Sequence, residues 1–147
     1  MDNVQYRNVI GLEGVPTFHD AELIRIEHRP SSRELLLEFQ RVDGSVGTFR
    51  FVGVLSQRMV DFAEQNVVSR LLISPAYSFS TAELRQWLSW VDGRTDSRPR
   101  VVDASMVGQF ADDLTSSRRA LFVLEPSCGA EAAVVCEAIE LRLETDS

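Results

Sequence analysis

The chain contains no lysine. Its fifteen basic residues are all arginine and stand against twenty-two acids, for a net charge of −7. Nucleic-acid binders carry a clustered basic stripe that releases counterions from phosphates. No such stripe is present, so direct contact with nucleic acid is not expected. An acidic exterior keeps a protein soluble and speeds the approach of a basic partner. Long apolar runs are missing too. None approaches the about 20 residues of a membrane-spanning helix. The opening "MDNVQYRNVIGLEG" has an acid at position 2 and no apolar region of the signal-peptide kind. The expectation is a cytoplasmic protein with no membrane partner.

Cysteine is limited to Cys128 and Cys136. Both lie in "LFVLEPSCGAEAAVVCEAIEL", which reads as a hairpin turning near 128–130. Cys136 then sits several residues up the return strand, beyond the about 7 Å between α-carbons that a disulfide tolerates. Two free thiols are expected, as in a reducing compartment. Two cysteines without a neighbouring histidine do not make a zinc site. Signatures of the G-x-S-x-G, P-loop, H-E-x-x-H and reactive-cysteine kinds are absent. The expectation is no catalysis, no metal and no cofactor.

What is present suits one soluble domain. The 147 residues are 44% apolar and 25% charged, enough to bury a core. Residues 1–16 read as a lead-in with one short strand near 4–10. Residues 17–60 read as a β-meander of "AELIRIEHR", "ELLLEFQRV" and "SVGTFRFVGVLSQRMV". Leu35, Leu37 and Phe39 share one face of the second strand, and Phe49 and Phe51 one face of the third. Asp43-Gly44 signals a two-residue hairpin with positive φ at both positions. Residues 61–115 read as a mixed, partly helical insert. Its clear helix follows Ser80, with Glu83 completing a capping box. Leu84, Trp87, Leu88 and Val91 form its apolar stripe, and Gly93 its stop. A second short helix is predicted over 105–114, weakened by Gly108. Residues 118–144 close the chain as a hairpin. There Val135, Ile139, Leu141 and Leu143 alternate with Cys136, Glu140, Arg142 and Glu144. The class predicted is α+β: about three N-terminal strands plus a C-terminal hairpin, with the helical insert on one sheet face.

"FHDAEL" sets one of two histidines beside an acid. If His19 and Asp20 are extended they point to opposite faces and cannot act as a base and its orienter. His28 lies an odd nine residues from His19, again on the opposite face of a regular strand. The bland reading has Asp20 tying a turn where the strand begins and His19 partly buried and hydrogen-bonded. A role for His19 at a binding surface is the alternative.

The stretch "FHDAELIRIEHRPSSRELLLEFQRVDGS", followed by "FRFVGV" and "DFAEQNVVSRL", resembles small bacterial immunity proteins of polymorphic-toxin and contact-dependent inhibition systems. Those proteins begin with an F-H-D-[AS]-x-[LI] strand and continue as a β-meander. The resemblance covers residues 17–72, with a looser echo in the terminal hairpin. Its distinctive positions are Phe18, His19, Asp20, Gly53, Gln65 and Asn66. It implies a cytosolic protein that binds and blocks a cognate toxin, a basic nuclease domain being the simplest partner.

Other residues bear on that reading. Trp90 falls about 100° from the helix stripe. It is either an exposed partner anchor or covered by the 94–104 loop. Asp92, Asp96, Asp103, Asp112 and Asp113 bias the 92–113 stretch acidic, diluted by Arg94, Arg98 and Arg100. A solvated acidic face is expected, suited to a basic partner, with Trp90, Asp92, Asp103, Asp112 and Asp113 as candidate contacts. Asn66 is expected to satisfy backbone groups at a bend. "SRR" at 117–119 reads as an edge-strand guard. Two rival readings stand beside the immunity-type binder. One is a small enzyme or ligand-binding domain, marked by a deep cleft that joins His19 or His28 to two or more acids. The other is a module that self-associates through a strand edge.

Overall fold

A computed structural model describes residues 5–93 and 102–144. They form nine strands in one antiparallel sheet and two helices. The strands are β1 (Arg7–Asn8), β2 (Glu22–Arg29), β3 (Glu34–Gln40), β4 (Val46–Val52), β5 (Ser56–Val60), β6 (Val67–Ile73), β7 (Ala120–Cys128), β8 (Glu131–Cys136) and β9 (Ala138–Glu144). The helices are α1 (Thr81–Val91) and α2 (Ala104–Thr115). The order across the sheet is β1-β9-β4-β3-β2-β6-β7-β8-β5.

The meander β2-β3-β4 is as the alternation predicts. Leu37 opposes Ile26 on one side and Phe49 on the other. Its second turn differs from the expected two-residue type. Only Gly44 has positive φ (89°), and its N–H bonds to Arg41 O at 2.9 Å. Residues 41–44 therefore make an ordinary turn, and Gly44 supplies the left-handed step that restores strand twist. Asp43 holds it by accepting the Ser45 hydroxyl at 2.6 Å and the Ser45 N–H at 2.9 Å. Those bonds, hydroxyl first, keep its carboxyl below the usual range.

The prediction of about three strands plus a hairpin undercounts. Residues 67–73, assigned to the insert, are β6, paired to β7 along its length. The predicted third strand is two, broken at 53–55. β4 pairs with β9 from Val46↔Glu144 to Val52↔Ala138, and the same two segments go on pairing as β5 and β8, from Ser56↔Val135 to Val60↔Glu131. The sheet thus returns to its starting strand and wraps one core. Phe49 and Phe51 from one side meet Phe122 of β7 at 5.3 and 4.8 Å.

The bend lies at Glu137. Its N–H reaches both Val52 O (3.0 Å) and Gly53 O (3.2 Å), as at a bulge, where one extra residue shifts strand parity. Val134 and Cys136 face the main core, and so do Ile139 and Leu141. Val135, expected beside Ile139, faces the helices.

The helices cover the outer face of β7 and β8. Leu84, Trp87 and Val91 of α1 and Val107, Phe110 and Leu114 of α2 pack on Leu121, Val123, Ala133 and Val135. The α1 capping box forms as predicted. The Ser80 N–H first, and then the Tyr77 hydroxyl, hold the Glu83 carboxyl below its usual range. Gly93 does not take a left-handed stop; Asp92 is the C-cap, with helical φ. No helix among the described residues is long and apolar enough to cross a membrane.

Closure is incomplete on one side. β2 meets β6 only at Glu22↔Val67, reinforced by Leu23 N–H to Asn66 O (2.9 Å) and Val68 N–H to Ala21 O (2.8 Å). Beyond Leu23, β2 pairs with β3 alone, and β5 pairs with β8 alone. A cleft of about 320 Å³ lies between these two edges, lined by Ile26, His28, Leu37, Gln57, Met59 and Val134 among others.

Candidate functional site

The FHD tripeptide is a turn rather than extended chain. Ala21 N–H bonds to Phe18 O and Asp20 N–H to Val68 O, both at 2.9 Å, and Asp20 has φ 65°. Aspartate tolerates that left-handed step better than most residues. The backbone makes this turn; the Asp20 carboxylate was expected to tie it and instead lies 3.5 Å from His19 Nε2. Alternation therefore does not separate the pair. Both side chains are well exposed, 64% and 59%, so the pair contributes little energy. His19, expected to be partly buried, lies at the surface. Its Nδ1 is 2.8 Å from Ser69 O. A carbonyl only accepts, so Nδ1 carries the proton.

Phe18 points the other way. It is buried against Phe39 (5.8 Å) and Phe49 (5.1 Å), with the Arg41 guanidinium 5.6 Å from its ring. Gly47 makes room for it, since a Cβ there would fall 2.6 Å from the Phe18 ring.

Asn66 and Gln65 form a joint with the terminal hairpin. The Asn66 side chain is buried and holds three backbone groups. Its Oδ1 accepts Ala63 N–H (2.9 Å) and Ala130 N–H (3.0 Å), and its Nδ2 donates to Ala63 O (2.7 Å). Gly129, at φ 79°, passes under this bend, close to Gln65 O and Asn66 Oδ1. Gly53 marks the opposite corner, at φ 65°, with the Glu137 carboxyl against it and Arg33 bonded to that carboxyl at 2.7 Å.

The acidic stretch separates in three dimensions. Asp103 caps α2, accepting Met106 N–H at 2.8 Å. Asp112 is exposed on α2, and Asp92 ends α1. Asp113, expected on a solvated face, is 8% exposed. It bonds Gln109 (3.1 Å) and Arg118 (3.0 Å), with Arg119 at 3.6 Å. The "SRR" arginines thus anchor the α2–β7 turn, and β7, flanked by β6 and β8, is no edge. Trp90 is half-buried. It meets Trp87 edge-on at 5.5 Å, and Arg58 of β5 lies 4.7 Å above its ring and bonds its carbonyl at 2.9 Å. The expected cover, the 94–104 loop, lies for the most part outside the described residues, as do Arg94, Asp96, Arg98 and Arg100. Nothing local in the sequence marks Arg58 as that cover, because it sits 32 residues from Trp90.

Two clefts hold a histidine. The larger, about 380 Å³, is lined by Pro16, Phe18, His19, Arg70, Leu71 and Tyr77 among others, and the second is the His28 cleft between β2 and β5. Among the described residues, neither lining contains a carboxylate. No group of three or more metal-ligating side chains occurs among the described residues.

The thiols differ sharply. Cys128 is exposed near the hairpin tip and Cys136 is buried, both free. Burial pushes the Cys136 thiol up to about 12, from about 8.5 in an unfolded chain. The protonated thiol is therefore favoured by folding. Its contribution is complete below the unfolded value and is lost as pH rises toward 12, at about 1.4 kcal/mol per unit. We expect a maleimide to modify one thiol in the native protein and two in urea. Cys136→Ala should flatten the loss of stability above pH 9, measured by urea unfolding; an unchanged slope would remove Cys136 as its source.

No family model, no curated protein and no solved structure matches this chain.

Proposed function

We propose that this protein works by binding another protein, as an immunity-type inhibitor that covers the working surface of a cognate toxin without catalysis. The observation that carries this reading is where the six distinctive positions lie. Phe18 fills the core, Asp20 turns the chain into β2, Asn66 and Gln65 hold the hairpin joint, and Gly53 makes the corner. His19, Asp20 and Gln65 are the exposed ones among them, and the first two put a ring nitrogen and a carboxylate at the surface beside one another. What the resemblance shares is thus chiefly a frame, which suits a protein that works through its outer surface.

The partner surface we favour is the helix layer, with Asp92, Asp103 and Asp112 at its rim. Trp90 and Asp113 are withdrawn from it by Arg58 and by Arg118. A net charge of −7 suits a basic partner such as a nuclease domain, whose approach it would accelerate. A stable complex of ordinary size would cover about 1,600 Å² in total. The test is co-purification with the product of the adjacent upstream gene and protection of cells expressing it. Binding should weaken through a slower association rate as salt rises. Failure both to bind and to protect removes the reading.

A further inference from the structure

From the open edge of β2 we infer that a second copy of this chain pairs there, antiparallel across a two-fold axis through Ile26. This inference is independent of the toxin-binding reading. Three observations converge on it. Residues 25–29, beyond a bulge at Ile24, have a strand neighbour on one side only, so their outward backbone groups form a template for another strand. The edge exposes two isoleucines, Ile24 at 48% and Ile26 at 38%. Its charges alternate as Arg25, Glu27, Arg29.

That alternation selects the register. Centred on Ile26, Arg25 opposes the partner's Glu27 and Glu27 the partner's Arg25, with Ile26 on Ile26 between them. Centred on Glu27, Arg25 would oppose Arg29 and Glu27 would oppose itself, and like charges directly opposite destabilise a pair. Centred on His28, Ile26 would oppose Pro30, which has no N–H to donate. The Ile26 register alone brings opposite charges and apolar side chains together while leaving Pro30 at the margin.

Within one copy, Arg25 and Arg29 both bond Glu27. Pairing would extend this into a square of four alternating charges. It would also bring the partner's strand against the mouth of the His28 cleft, on the β2 side, and draw Ile26 out of water. Such a contact is isologous, so it closes at two copies.

Sedimentation of the full chain over about a hundredfold concentration range tests this, because mass action must populate the dimer. The mass should rise from 16.5 kDa toward twice that value. Glu27→Arg places like charges opposite one another twice and should weaken association about tenfold. Adding Arg25→Glu to it restores opposite charges and should restore the dimer. Both variants change surface positions, and equal unfolding midpoints would show the fold intact. A monomer at every concentration, or a dimer indifferent to Glu27→Arg, overturns the proposal whether or not a toxin binds.

Discussion

Gly129→Ala should cost about 3 kcal/mol or more. Two effects add at this position. Its φ of 79° is one that side chains with a Cβ rarely adopt. The new Cβ would also fall 2.5 Å from Asn66 Oδ1 and closer still to the Gln65 carbonyl oxygen. The second obstacle is backbone, which cannot swing aside as a flexible side chain would. The bend at 65–66 would have to move, and Asn66 would lose Ala130 N–H as it did. Asn66→Ala attacks the same joint from the other side and should cost about 2–3 kcal/mol, since a buried donor is left without a partner. The two losses should not add, because either one opens the joint. Gly108→Ala is the control. Gly108 lies in α2 with open space around it, so alanine there should stabilise by about 0.5–1 kcal/mol. Urea midpoints at constant slope read the three single variants and the Asn66→Ala/Gly129→Ala double against the parent. Additive losses at Asn66 and Gly129 would mean that the joint is not one unit.

Phe49→Ala is expected to cost about 3–5 kcal/mol, a large part of the 5–15 kcal/mol typical of a domain. Phe49 is fully buried and touches four other rings: Phe18 at 5.1 Å, Phe122 at 5.3 Å, Phe39 at 5.9 Å and Phe51 at 6.3 Å. Those rings come from the lead-in turn, β3, β4 and β7. Removing the central one leaves a cavity that no single element can close by shifting. The melting temperature should fall by about 10 °C or more, and the near-ultraviolet circular dichroism of the aromatic cluster should change in the native state. Phe49→Leu, which keeps most of the volume, should lose much less. A loss below about 1 kcal/mol for Phe49→Ala would show that Phe49 is not the keystone of the core.

Where the sequence reading held, one periodicity marked the face turned to the core. β3 alternates Leu35, Leu37 and Phe39 inward, and its interior is legible from spacing alone. α1 shows a single stripe and a capping box, and both form. The reading failed where two faces are buried. β6 carries Val68 and Ile73 into the main core and Leu72 into the helix-side cluster. A strand covered on both faces loses its alternation, so "VVSRLLI" reads as neither strand nor helix. The candidate site divides in the same way. Asn66 as a satisfier of backbone groups follows from a lone polar side chain in an apolar run. The burial of Asp113 and the cover on Trp90 do not, because they depend on which arginines arrive.

Composition and local pattern alone determined the antiparallel meander, both helices, the terminal hairpin and the acidic balance. Each follows from spacing within a dozen residues or from a simple count. Tertiary structure alone decided that the sheet closes on itself at Glu137, that the hairpin locks under Asn66, and that β2 keeps an open edge. Those outcomes turn on groups about 40 to 85 residues apart meeting in space, such as Leu23 N–H on Asn66 O, Ala130 N–H on Asn66 Oδ1 and Glu137 N–H on Val52 O, and hydrogen bonds between such groups leave no periodic trace in the chain.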